Sequence, residues 1–299
     1  MRRLLPLLLV PLALAGCRDS STSTHPAVVA TTTQVADLTR AVAGPATPVE
    51  QILKPGSDPH EYEPRPSDAQ AVAGAKLIIR SGGDVDGWLS GVIGQAGGGA
   101  SVVSLIDSVP RHGADPHWWQ DPRNAELAVE RIRAALTTAN PKDAAGYRAR
   151  ADAYLARLRA LDRGVAACVA QLPASARKLV TSHDALGYYA RRYGFTVIGA
   201  AIPSLSTQAQ PSAAATKRLV DQIRAQHVAV IFPERALNPK LEQAIARDAG
   251  AGVGGALWAD TLGPKGSSGA TYLGALAANT RTIVQGLSRG RVTCAGLRP

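Results

Sequence analysis

The sequence predicts an α/β protein of two lobes, each a parallel sheet flanked by helices, joined by one long rigid helix. Three observations carry that fold class. From Val28 onward, short β-branched runs alternate with helical stretches. The same alternation resumes after Ser175. Between the two lies one helical stretch bounded by Pro141 and Pro173. Parallel neighbours need a crossover segment, so strand–helix alternation is the pattern of a parallel sheet covered by helices.

The elements follow in order. Arg2 and Arg3 precede the apolar run "LLPLLLVPLALAG", which stops at Cys17. A basic start and a short apolar core make residues 1–16 a secretory signal, too short and too proline-broken to span a membrane. Leu14-Ala15-Gly16-Cys17 resembles the lipobox of bacterial lipoproteins, which implies cleavage before Cys17 and acylation of its thiol. The alternative is an unlipidated signal with a chance cysteine. Residues 17–26 then form a polar Ser/Thr-rich tether in which His25 is simply solvated. The expected location is the outer face of the cytoplasmic membrane, in the periplasm or at the cell surface.

Residues 27–140 form the first lobe, with strand-like "VVATTT", "VEQIL", "KLIIR" and "SVVSLI" separated by helical runs such as "QVADLTRAVAG" and "VDGWLSGVIGQA". Residues 141–173 form the joining helix. Ala153, Leu155, Leu158, Leu161, Val165 and Val169 give it an apolar stripe, and thirty residues of helix span about 45 Å. Such a spacer holds two lobes at a fixed separation. Residues 174–299 form the second lobe, through "RKLVTSH", "DALGYYARRYG", "FTVIGAAI", "VAVIFP", "NPKLEQAIARDAG" and "VGGALWA". In an oxidising compartment Cys168 and Cys294 either close a disulfide or remain free buried thiols.

Chemistry-bearing residues gather at strand ends. The tripeptide Asp-Pro-His occurs twice, ending at His60 and at His117. Proline fixes its own φ and restricts the residue before it, so both histidines stand on stiff backbone. His60 follows the strand near Val49–Leu53, and His117 follows the strand ending near Ile106. His183 ends the strand "LVTSH", with Asp184 a candidate cap for the next helix. Asp260 follows the last strand in a Gly/Pro/Ser loop, expected to be the segment most responsive to a ligand. Ligands of open α/β sheets sit beyond the carboxyl ends of the strands. Three imidazoles and one carboxylate are a tetrahedral, zinc-type donor set. Taken singly, each has an ordinary reading: a loop histidine, a ring packed beside Trp118 and Trp119, a helix cap, a turn aspartate. His112 and His227 lack a comparable setting.

A chain of 299 residues carrying 33 Lys and Arg against 23 Asp and Glu has a formal charge of +10. The basic residues are scattered singly, without the clustered stripe a nucleic-acid surface requires, so that class is excluded.

The segments "KPGSDPHEYEPRPSDAQAVAGAKLIIRSG", "DPHWWQDPRNA", "LVTSHDALGYYARRYGF", "IFPERALNPKLEQAIARDAG" and "ALWADTLGPKGSSGATYL" together resemble the zinc/manganese solute-binding lipoproteins of ABC importers, the ZnuA/TroA-like family. The likeness is collinear through essentially the whole chain after the signal. It implies a periplasmic-binding-protein-like fold with a helical backbone, and metal ligation by His60, His117, His183 and Asp260. It implies Zn2+ as cargo, with Mn2+ the alternative. The partners implied are an ABC permease and, through a lipid on Cys17, the membrane. A monomer is expected, and nothing in the chain identifies a metallochaperone. Two departures stand out. Gln208 and Gln210 occupy a stretch where the family often has acidic residues, and no His-rich loop precedes the second Asp-Pro-His. The rival reading, an exported zinc hydrolase, lacks a HExxH-type pair, and four ligands nearly close the coordination shell. Glu61 and Glu63 flank His60 and suit a loop role better than that of a general base.

Overall fold

The computed structural model describes residues 28–97 and 99–299. The signal sequence, Cys17 and the tether lie outside the described residues. The first lobe holds strands β1 (Val28–Ala30), β2 (Val49–Gln51), β3 (Leu77–Arg80) and β4 (Ser101–Ser104), all parallel, in the order β2-β1-β3-β4. The two central strands are apolar and buried, as strands covered on both faces must be. Helices α1 (Thr33–Ala43), α2 (Pro66–Gly74), α3 (Leu89–Ala96) and α4 (Pro122–Ala139) cover the sheet. Local chemistry sets their starts. The Thr32 hydroxyl accepts the Val35 N–H at 3.3 Å, and the Asp121 carboxylate accepts the Arg123 N–H at 2.9 Å, with Pro122 just inside α4.

The joining helix is α5, Ala144–Val169, preceded by a single tight turn at Pro141–Asp143. It is therefore shorter than the proline-to-proline stretch suggests. Its buried stripe is Tyr147, Ala151, Tyr154, Leu155, Leu158, Leu161, Val165 and Val169, while Ala153 faces solvent. This stripe packs against α1 and α4 of the first lobe and against α9 (Tyr272–Leu287) of the second. A single apolar core accordingly runs from β1 through α5 into α9.

The second lobe holds β5 (Lys178–His183), β6 (Thr196–Ile202), β7 (Val230–Ile231) and β8 (Gly252–Val253) with α6 (Gly187–Tyr193), α7 (Ala213–Ala225), α8 (Lys240–Ala249) and α9. β5 pairs with β6 and β7 with β8, each parallel. The Phe232 N–H donates to the Val180 carbonyl at 2.9 Å and joins the two pairs, giving the order β6-β5-β7-β8. That order repeats the first sheet strand for strand. Asp184 does not cap α6. Its N–H bonds the Ser204 carbonyl at 3.0 Å, and the helix begins three residues later, after Leu186. Cys168, at the end of α5, and Cys294, beyond α9, form a disulfide. Among the described residues no helix is long and apolar enough to cross a membrane.

Candidate metal centre

The cleft between the lobes collects His60, His117, His183 and Asp260, one donor atom from each, all within 4.8 Å of one another. The repeated tripeptide explains itself here. In each copy the aspartate accepts the histidine N–H two residues on, Asp58 to His60 and Asp115 to His117, both at 2.9 Å. The proline between them donates nothing and stiffens the turn. Side chains of all four residues are at most 2% exposed.

The donor separations are the informative quantity. His117 Nε2 lies 3.4 Å from His60 Nε2 and 3.3 Å from His183 Nε2. Asp260 Oδ2 lies 3.2 Å from His60 Nε2 and 3.0 Å from His183 Nε2, and Asp260 Oδ1 lies 3.6 Å from His117 Nε2. A tetrahedron with bonds of about 2.0–2.1 Å has edges of about 3.3–3.4 Å. The separations here, 3.0–3.6 Å, fall near those edges, and all four donor atoms lie within 4.8 Å of one another, a spacing one small cation could bridge. Neither Asp260 oxygen has a hydrogen-bond partner outside the imidazoles, although both are buried. A buried carboxylate left so is costly unless a cation or charged imidazole faces it.

Two imidazoles are oriented from behind. Asp115 Oδ1 sits 2.7 Å from His117 Nδ1, and Glu234 Oε1 sits 2.7 Å from His183 Nδ1. Such contacts turn Nε2 towards the cluster and raise its basicity. Glu234 also accepts the His183 N–H at 3.1 Å, and its own N–H donates to the Ser182 hydroxyl at 3.0 Å. That hydroxyl in turn donates to the buried carboxylate of Glu242. The residue before Asp260 is clamped from the other lobe. The Ala259 carbonyl accepts from Trp119 Nε1 and Gln120 Nε2, both at 2.9 Å, which accounts for Trp119 beside His117.

Charge follows geometry. Burial alone pushes the His183 imidazolium down, but the Asp260 and Glu234 carboxylates outweigh it and hold its pKa well above the usual value. Burial alone would raise Asp260, yet the facing His183 and His117 hold its carboxyl well below the ordinary range. Burial raises Glu234, against the pull of His183.

All four site residues expected from the sequence come together, while His112 stacks on Tyr188 and does not join them. The sequence reading misses Asp115 and Glu234 as orienting groups. Asp115 was visible inside the second Asp-Pro-His, and Glu234 just beyond the apolar end of β7. Nothing in the local sequence marks the Ala259 carbonyl clamp.

Fold and site define a two-lobed binding protein for a small cation. The family of zinc-uptake complex component A periplasmic proteins matches residues 28–286, and the chain belongs to it. It is the substrate-binding component of a metal uptake system of that type. The manganese-binding lipoprotein MntA of Halalkalibacterium halodurans is 31% identical over 294 residues, 95% of this chain and 97% of its own length. The iron-binding protein YfeA of Yersinia pestis is 30% identical over 285 residues, 93% of this chain and 91% of its own length. The structure of the periplasmic zinc-binding protein TroA from Treponema pallidum superposes with a TM-score of 0.82 at 29% identity. The match covers 88% of this chain and 99% of that one.

Proposed function

We propose that this chain captures one zinc ion with His60, His117, His183 and Asp260 outside the cytoplasm and hands it to the permease of an ABC importer. The observation that carries the reading is the set of donor separations, which matches one tetrahedral cation with three nitrogens and one oxygen. The protein binds and releases without turnover. Four ligands leave no open position for a substrate, and the carboxylates behind the rings, Asp115 and Glu234, are committed to imidazole Nδ1 atoms. A lipid on Cys17 holds the protein at the membrane, and it works as a monomer, with residues 27–140 and 174–299 as the lobes and the helical stretch 141–173 between them.

Relatives carry zinc, manganese or iron in their names. Nitrogen-rich donors favour zinc over manganese, which prefers oxygen and higher coordination. Both Asp260 oxygens face imidazoles, which gives manganese a route to a fifth bond and makes it the second cargo. Two measurements test the reading. Protein purified without added metal contains about one equivalent of zinc. In competition, zinc wins over manganese by at least about tenfold. A manganese preference refutes the zinc assignment, and two tight sites or none refute the single four-ligand site.

A further inference from the structure

His60 differs from its two partners. Among the described residues no carboxylate stands at its ring nitrogens except Asp260, whereas Asp115 and Glu234 brace the other two rings. The segment that carries it, residues 54–61, belongs to the first lobe by sequence. Among the described residues, however, apart from the 3.4 Å contact of His60 Nε2 with His117 Nε2, its hydrogen bonds beyond itself all run to the second lobe. The Gly56 N–H lies 2.9 Å from Thr261 Oγ1 and 3.1 Å from the Leu262 carbonyl. The Thr207 hydroxyl donates to Asp58 Oδ2 at 2.7 Å, and Gln208 Nε2 donates to the His60 carbonyl at 2.6 Å. Only at Leu53, bonded to the Thr31 carbonyl at 3.0 Å, and at Tyr62, packed on Trp88 and bonded to Asp68, does the chain rejoin its own lobe.

The donors on the other side stand on firmer backbone. The Ser204 hydroxyl accepts the Ser206 N–H at 3.0 Å, the Ser206 hydroxyl accepts the Gln208 N–H at 3.3 Å, and the Ser204 carbonyl accepts the Asp184 N–H beside His183. The Asp260 loop also crosses to the first lobe, through the Leu262 N–H on Thr33 Oγ1 at 2.8 Å. It is tied within its own lobe as well, with the Gly263 N–H on the Gly269 carbonyl at 2.8 Å and the Trp258 indole against Ser268 at 3.2 Å.

Resting on the metal-capture reading, we infer that Thr207 and Gln208 are positioning residues that latch residues 54–61 and so set how fast His60 lets the cation go. The ligand that leaves first is His60, and the moving part is its loop rather than that of Asp260. Separating the lobes breaks the bonds of Gly56, Asp58 and the His60 carbonyl to the second lobe at once. Release is thereby coupled to any partner that pries the lobes apart.

The test compares purified wild type, Gln208→Ala, Thr207→Val/Gln208→Ala and the control Lys217→Ala, which alters only an exposed pair with Asp221. Each is loaded with zinc and mixed with excess chelator in a stopped-flow instrument. Dissociation is expected to quicken at least about tenfold in the double variant and severalfold in Gln208→Ala, with association changed less than about threefold, since affinity differences reside mainly in dissociation. A merely destabilised fold would not split the two rates in that way. Gln208 is exposed, so its single variant folds even where the double one does not. Dissociation within twofold of wild type in both latch variants overturns the latch. Failure of wild type to bind zinc refutes the proposed function instead. Hydrogen exchange on metal-free protein then decides the latch separately. Exchange in residues 54–61 must rise in Gln208→Ala while α9 is unchanged, and equal exchange overturns it.

Discussion

At the scale of single residues, the site is a contest between protons and a metal. His183 lies between two buried carboxylates that hold its proton more tightly than usual, and a cation taking its Nε2 must displace that proton. Affinity should therefore rise by about one logarithmic unit per pH unit for each proton released, and calorimetry in buffers of different ionisation enthalpy will count those protons. An affinity flat from pH 7.5 to 5.5 contradicts a three-imidazole site. The same groups set the pH stability of the metal-free form. The folded pKa of His183 is raised, so its contribution is complete below about pH 6.5 and fades as pH climbs through the folded value. The pKa of Asp260 is lowered, so its contribution is present above about pH 3.9 and fades as pH falls through the folded value. Denaturation of the metal-free protein followed across this range should show both edges. Behind the ligands, Glu234→Gln leaves the donor set intact but removes a negative orienting group from His183. It should weaken zinc binding by about 10–100-fold in a competition assay.

At the scale of elements, α5 is the piece both lobes share. Its apolar stripe is shared by helices of both lobes, so a bend in mid-helix would tear one contiguous core. Leu158 is fully buried there, and Leu158→Ala should cost about 2–5 kcal/mol in chemical denaturation. Because α5 is continuous over 26 residues, metal-free and metal-bound forms should differ by loop movement and slight lobe tilt. A large rotation seen by small-angle scattering would contradict that. Such elements are where the sequence was most readable. Short β-branched runs found β1, β3 and β5, and the 3.6-residue stripe found α5. Ala153 was misplaced because alanine fits either face of a helix, and Asp184 was misread because a capping side chain looks the same as one that merely follows a strand. The convergence of His60, His117, His183 and Asp260 was legible because rigid tripeptides and strand ends fix them locally. The latch was not, since Thr207 and Gln208 meet Asp58 and His60 across about 150 positions of chain, and nothing near either partner signals the other.

At the scale of the whole molecule, the repeated strand order places two like crevices face to face, so half of the candidate ligands come from each lobe. Neither lobe alone presents a complete shell. The bond between Cys168 and Cys294 adds a different property. It encloses all of β5–β8 and α6–α9, with His183, Asp260, Thr207 and Gln208, in one covalent loop, while His60 and His117 remain outside it. A protease that cuts this half once releases nothing. Trypsin should find Lys265, exposed in the Gly/Ser loop after Asp260, and the cut protein should run at full mass until a reductant separates it into two pieces. Beyond the cytoplasm, where no new copy of a damaged half can be made, a protein that survives its first nick stays in service.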